Sequence, residues 1–196
     1  KMYGPKGIGA LYVRRRNPKV RLTPIIHGGG HEQGLRSGTL NVAGIVGFGE
    51  AARIATSELE VEAQRLAALR DRLEEGLRES VPRLVVHGDE GRRVPGSLCL
   101  SFSGVDAEAL MVALKDDVAV SSGSACMSAT LEPSHVLRSM GVDEELASCS
   151  IRFVVGRATT AEEIDIAIRR VGGEALRLSA EAPSWRMGPV VEGGVA

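Results

Sequence analysis

The chain has 196 residues, and its 24 Lys+Arg against 25 Asp+Glu leave a formal net charge of -1. That balance excludes the strongly basic surface of a general nucleic-acid binder and gives no pull toward an anionic membrane. No apolar run approaches the roughly 20 residues of a spanning helix, and no charged-then-apolar leader opens the chain, so a cytoplasmic location is the expectation. Three cysteines, Cys99, Cys126 and Cys149, form an odd set without paired spacing, which argues against a disulfide framework and a zinc site and leaves at least one thiol free. The first residue is Lys1, and residues 1–13 read as the middle of a fold, so a fragment of a longer protein is expected.

Residues 1–9 carry three glycines and a proline and read as a tight turn, followed by a short buried strand over 10–13. The basic run Arg14-Arg15-Arg16 reads as a solvated loop, and a second, glycine-rich loop spans His27-Gly28-Gly29-Gly30-His31-Glu32 and Arg36-Ser37-Gly38-Thr39. From 41 to about 80, Leu59, Leu66, Leu69, Leu73 and Leu77 recur at helical spacing, predicting one long helix bent near Gly47 and Gly49. Strands are predicted over 84–86, 97–102, 118–120 and 150–155, and Asp106 caps a helix reaching about Lys115. Pro133 opens a short helix through Val136, Leu137 and Met140. Thr160 with Glu163 fits a capping box for a last helix whose Ile164, Ala167, Ile168 and Val171 share a face, and the tail after Pro183 reads as loosely ordered. Helices alternating with strands from Leu84 onward imply a two-layer α/β domain.

Chemistry concentrates at a few residues. Cys126 sits in Ser121-Ser122-Gly123-Ser124-Ala125-Cys126-Met127-Ser128-Ala129-Thr130, among side chains too small to form a core around it. A thiol so placed suits a nucleophile, given a nearby cation or dipole and access to solvent. Cys99 lies on an apolar strand and Cys149 just before one, so both read as inert structural thiols. Arg152 alternates with Ile151 and Phe153 and points away from their face, where its fork suits either bidentate capture of a carboxylate or an ordinary ion pair. The three glycines between His27 and His31 exclude a helical pair of metal ligands. Their loop reads either as backbone donors plus Thr39 offered to an anion or as a plain connection.

Taken together these segments resemble the cysteine desulfurases of the NifS/IscS type within the class-V aminotransferase family. The resemblance begins at Lys1-Met2-Tyr3-Gly4-Pro5-Lys6-Gly7 and runs through the two loop motifs ending at Thr39. It is most specific over Ser121-Ser122-Gly123-Ser124-Ala125-Cys126, followed by Leu131-Glu132-Pro133-Ser134-His135-Val136-Leu137-Arg138, and ends at Ser150-Ile151-Arg152-Phe153. The longer cysteine loop is that of the family's first group. Met127, where the family often has a small polar residue, leaves the nucleophile untouched.

The resemblance implies a pyridoxal-phosphate enzyme of fold type I. Residues 1–55 would be a remnant of the large domain, 56–180 the small α/β domain and 181–196 a tail. It further implies that Lys1 bonds the cofactor and moves the substrate's Cα proton. Thr39 reaches the cofactor phosphate of the partner subunit, Arg152 holds the carboxylate of L-cysteine, and Cys126 takes its sulfur as a persulfide, releasing alanine. The implied partners are a second copy in a homodimer and an iron–sulfur scaffold protein or another sulfur acceptor such as a tRNA-thiolation protein, with no nucleic acid or membrane. No resident metal is implied, Cys126 serving as an iron–sulfur ligand only within a scaffold complex. The family's histidine over the cofactor ring and aspartate at its pyridine nitrogen lie upstream of the matching lysine, so the chain by itself is expected to be inactive. Two other readings remain: a class-V aminotransferase or selenocysteine lyase, and a non-catalytic module that docks an acceptor.

Overall fold

A computed structural model describes residues 2–122 and 134–181. The chain forms two compact units, Lys1–Leu59 and Glu60–Ala196. Among the described residues its elements are α1 (Val42–Ser80), β1 (Leu84–His87), β2 (Ser97–Phe102), α2 (Ala107–Leu114), α3 (His135–Ser139), α4 (Glu144–Ser148), β3 (Ser150–Val154) and α5 (Ala161–Glu181), with one 3-10 turn at His31–Gly34.

In the first unit, the chain before α1 is almost wholly irregular. The strand expected over 10–13 does not form: Leu11 and Tyr12 are exposed, and the nearest backbone pairing is a single bond from Val20 N–H to the Arg14 carbonyl at 2.9 Å. A strand needs a ladder, and these apolar residues meet no partner strand among the described residues. Asn41 starts α1 by accepting the Gly44 N–H on its Oδ1 at 3.0 Å, satisfying one of the donors that a helix start leaves open. The helix then runs without interruption through Gly47 and Gly49.

The second unit is built on an antiparallel sheet in the order β1-β2-β3, with Val86 opposite Leu100 and Leu100 opposite Ile151. Alternation sends Leu98, Leu100, Phe102, Ile151 and Phe153 to one face, where all are buried. Onto that face pack Leu73 and Leu77 of α1, Leu110 and Leu114 of α2, and Ile164, Ala167, Val171 and Ala175 of α5. Helices over one face of a sheet give the two layers expected. Leu59, included in the predicted apolar stripe of α1, is instead 65% exposed, while Leu66 and Leu69 pack partly against the core.

Local signals place most of these elements. Asp106 caps α2 by accepting the Ala109 N–H at 2.8 Å. Thr160 and Glu163 form the reciprocal capping box of α5: Thr160 N–H donates to Glu163 Oε2 at 2.9 Å and Glu163 N–H to Thr160 Oγ1 at 3.2 Å. The strand expected over 118–120 is replaced by a single bridge, Ser121 opposite Arg152. Val118 and Val120 do pack against the core, so their alternation has the expected cause, but the chain reaches β3 only at Ser121. The helix α4, which the sequence reading missed, is capped by Asp143, whose Oδ1 accepts the Leu146 N–H at 2.8 Å. The tail after Pro183 lies outside the described residues.

The connection from β1 to β2 is fixed to α1 by a buried ionic cluster. Glu74, 7% exposed, accepts from Arg78 Nη2 at 2.9 Å and from Arg93 Nη2 at 2.8 Å, and Arg70 donates to the Pro95 carbonyl at 2.9 Å. Arg93 Nε and Nη1 are buried without hydrogen-bond partners among the described residues, so Glu74 is the carboxylate that balances that guanidinium. Removing one partner of a buried pair leaves an uncompensated charge, so Glu74→Ala is expected to lower unfolding free energy by about 3 kcal/mol. A urea titration in which that variant unfolds at the wild-type midpoint would remove the cluster from the account.

Candidate active site

Arg152 lies in the middle of β3, and the burial of Ile151 and Phe153 on the core face turns it to the other. Its backbone pairs on both sides. It is in register with Cys99 of β2, and it bridges Ser121 through Arg152 N–H to the Ser121 carbonyl at 2.8 Å and Ser121 N–H to the Arg152 carbonyl at 3.3 Å. The side chain is half-buried and makes no ion pair among the described residues, and its Nε is buried without a hydrogen-bond partner among them. A buried guanidinium donor without an acceptor costs about 1–3 kcal/mol, a cost that an incoming carboxylate removes. The ordinary ion pair that the sequence left open is therefore not made within the described part of the chain.

The neighbours of Arg152 follow from the register. His87 is opposite Cys99, Cys99 opposite Arg152 and Arg152 opposite Ser121, so these four residues form one cross-strand row. Ser97, Ser101, Ser150, Val85 and Val154 complete that face of the three strands, which carries no carboxylate. Cys99 thus stands on the face opposite the core, half-buried, rather than among the large apolar side chains expected from its strand. Burial pushes its thiol pKa up, and the Arg152 charge offsets part of that rise. Cys149 is buried, and its thiol pKa is raised by burial as well, in keeping with an inert thiol.

His87 is 8% exposed and its Nε2 lies 2.7 Å from Ser101 Oγ, which in turn donates to the Leu146 carbonyl at 2.7 Å. A hydroxyl has one proton, so with that proton given to Leu146 the serine accepts from His87, and the imidazole proton is assigned to Nε2. Burial lowers the His87 pKa below its ordinary 6.5, partly opposed by the Asp143 charge. A depressed folded pKa means that the unfolded chain binds the proton more readily. The contribution is complete above about pH 6.5 and is lost as pH falls through the folded value. The thermal midpoint is expected to fall between pH 7.5 and 5.5 by a smaller margin in His87→Gln than in the wild type; equal losses would exclude His87 as the source.

In the first unit, Thr39 is exposed at the end of the glycine-rich loop. Ser37 closes that loop: its Oγ donates to the Gly29 carbonyl at 2.5 Å and its N–H to the Ile26 carbonyl at 3.3 Å. Gly38 has φ +112, a left-handed conformation suited to glycine, and Arg36 Nη1 lies 3.1 Å from where a Cβ at Gly38 would stand. The Arg36 guanidinium thus lies against the glycine turn that leads into Thr39, and a guanidinium, a hydroxyl and turn backbone are donor types that fit a phosphate. No group of three metal-ligating side chains occurs among the described residues. Thr39 belongs to the first unit and Arg152 to the second, while Lys1 and Cys126 lie outside the described residues.

Comparison with known proteins identifies the class to which the chain belongs. The aminotransferase class-V family model matches residues 1–166, and the chain belongs to that family. Within it, the chain is 58% identical over 187 residues to cysteine desulfurase IscS of Anaeromyxobacter dehalogenans, covering 95% of this chain and 46% of that protein. It is 56% identical over 187 residues to cysteine desulfurase IscS of Aeromonas hydrophila, with the same coverage. Among solved structures, a NifS-like protein from Rickettsia africae superposes with TM-score 0.70 at 31% identity, covering 79% of this chain and 40% of that one. A second NifS-like protein gives TM-score 0.71 at 32% identity, with 83% and 41% covered. The chain thus spans about half the length of the curated relatives it matches. Its resemblance to the NifS/IscS type and its place in a pyridoxal-phosphate fold of type I are supported by these matches.

Proposed function

We propose that the chain is the C-terminal part of a cysteine desulfurase that releases alanine from L-cysteine and leaves its sulfur as a persulfide on Cys126. The observation that carries this reading is Arg152, held beside Ser121 by a two-way backbone bridge with its buried Nε unpartnered among the described residues. Cys126 follows Ser121 by five positions, so covalent geometry keeps the two Cα atoms within about 18 Å. In this reading Arg152 anchors the substrate carboxylate, and Cys126, a few residues along the chain from Ser121, serves as the nucleophile toward the same small substrate. That the similar proteins of Anaeromyxobacter dehalogenans and Aeromonas hydrophila are cysteine desulfurases supports the same reading over an aminotransferase.

Pyridoxal phosphate, when bound, supplies the electron sink that makes the Cα proton of an amino acid labile. Thr39, with Arg36 beside its loop, would reach the phosphate of the cofactor bound in the partner subunit, while Lys1 would carry the cofactor of its own subunit and then move the Cα proton. Arg152 pairs with the substrate carboxylate and fixes the orientation of Cα and Cβ. The Cys126 thiolate attacks the substrate sulfur: an S–S bond forms, the Cβ–S bond breaks with its electron pair leaving on carbon, and protonation of that carbon yields alanine. Residues 1–55 are assigned to the large cofactor domain and its interface, 56–180 to the small domain and 181–196 to a tail. The working form is a cytoplasmic homodimer that passes sulfur to an iron–sulfur scaffold or another acceptor; among the described residues no helix is long and apolar enough to cross a membrane. The test is release of alanine and sulfide from L-cysteine by the full-length protein with pyridoxal phosphate and a thiol reductant. Equal yields support the reading, and no turnover despite bound cofactor overturns it.

A further inference from the structure

Arg152 is useful as an anchor only if no protein group already occupies its donors, and the residue best placed to do so is the one directly across the ladder. That residue is Cys99. Directly opposed side chains in an antiparallel pair have Cβ atoms about 4.5–5.5 Å apart, close enough for any carboxylate or amide at position 99 to reach the guanidinium. A thiol is a weak acceptor, and the unpartnered Arg152 Nε indicates that Cys99 does not satisfy it. The other side of Cys99 is occupied by His87, whose Nε2 is committed to Ser101, so that ring nitrogen does not turn toward the row. The remaining strand positions of the face supply only Ser and Val.

We propose that Cys99 is a positioning residue for the carboxylate anchor: a small, uncharged, weakly accepting neighbour that supports the Arg152 side chain while leaving its donors to the substrate. This rests on reading Arg152 as the anchor. Burial keeps the Cys99 thiol protonated near neutral pH, so that it does not become an anionic rival for the same guanidinium. Placing a carboxylate there creates an internal ion pair in competition with substrate. Such competition weakens binding without altering the bond-breaking step, and it separates KM from kcat.

The experiment is steady-state desulfuration of L-cysteine by the full-length protein and its Cys99→Asp, Cys99→Ser and Arg152→Lys variants, with thermal midpoints recorded for each. Cys99→Asp is expected to raise KM about 30-fold with kcat within about threefold, and Cys99→Ser to stay within about threefold of wild type in both. The thermal midpoint of Cys99→Asp is expected to hold, because its charge is paired on arrival. A Cys99→Asp KM equal to wild type, beside a raised KM in Arg152→Lys, would overturn the role of Cys99 alone. A wild-type KM in Arg152→Lys would overturn the anchor reading itself. A parallel loss of kcat and thermal midpoint in both Cys99 variants would make position 99 merely structural and would also overturn the proposal.

Discussion

Replacing Cys126 with alanine is expected to abolish sulfide and alanine release from L-cysteine, by at least about 1,000-fold in kcat, while leaving cofactor binding intact. The size of the effect follows from the chemistry. Without a thiolate to accept the substrate sulfur, no other described thiol is suited to replace it: burial raises the pKa of both Cys99 and Cys149 and disfavours their reactive form. Cys126 is set apart by its neighbours, since, Met127 apart, positions 121–130 around it are Ser, Gly, Ala and Thr, whereas Leu98 and Leu100 flank Cys99. Retention of the cofactor's absorbance in the variant distinguishes loss of the nucleophile from loss of the fold. Sulfide release at the wild-type rate from Cys126→Ala would remove the persulfide mechanism altogether.

Arg152→Lys is expected to raise KM for L-cysteine about 100-fold with a smaller loss in kcat. Lysine keeps the positive charge but loses the planar fork, exchanging two parallel hydrogen bonds for one mobile contact, a difference of about 2–3 kcal/mol at a half-buried site. The backbone bridge between Arg152 and Ser121 does not depend on the side chain and is retained. The substitution therefore tests the anchor rather than the strand. Cysteamine, which lacks the carboxylate, is expected to discriminate little between the wild type and Arg152→Lys. A KM for L-cysteine unchanged in the variant would show that the carboxylate is held elsewhere.

What could be read from the sequence is what depends on near neighbours along the chain. The Thr160–Glu163 box and the Asp106 cap are complete within four residues and appear as expected. The outward aim of Arg152 was legible because strand alternation is local: Ile151 and Phe153 fix it from either side. The same alternation assigns Cys99 away from Leu98 and Leu100, yet reading the strand as uniformly apolar hid it. The role of Cys99 also needed the register, which pairs it with a residue 53 positions away and cannot be inferred from spacing. Residues 10–13 and 118–120 misled for a related reason. Their composition suits a strand, but a strand exists only where a partner supplies the ladder, and one segment meets none among the described residues while the other meets β3 at Ser121 alone. The helix α4 escaped because five residues carry too little periodicity to register.

The sharpest test of the central claim is direct detection of the sulfur on its carrier. Full-length protein loaded with pyridoxal phosphate is exposed to L-cysteine without reductant, quenched with an alkylating reagent, and its cysteine-bearing peptides are weighed by mass spectrometry. The peptide containing Cys126 is predicted to gain one sulfur atom in step with alanine release, with those of Cys99 and Cys149 unchanged. Alanine released with no added sulfur on Cys126, or with the sulfur on another cysteine, would contradict the account.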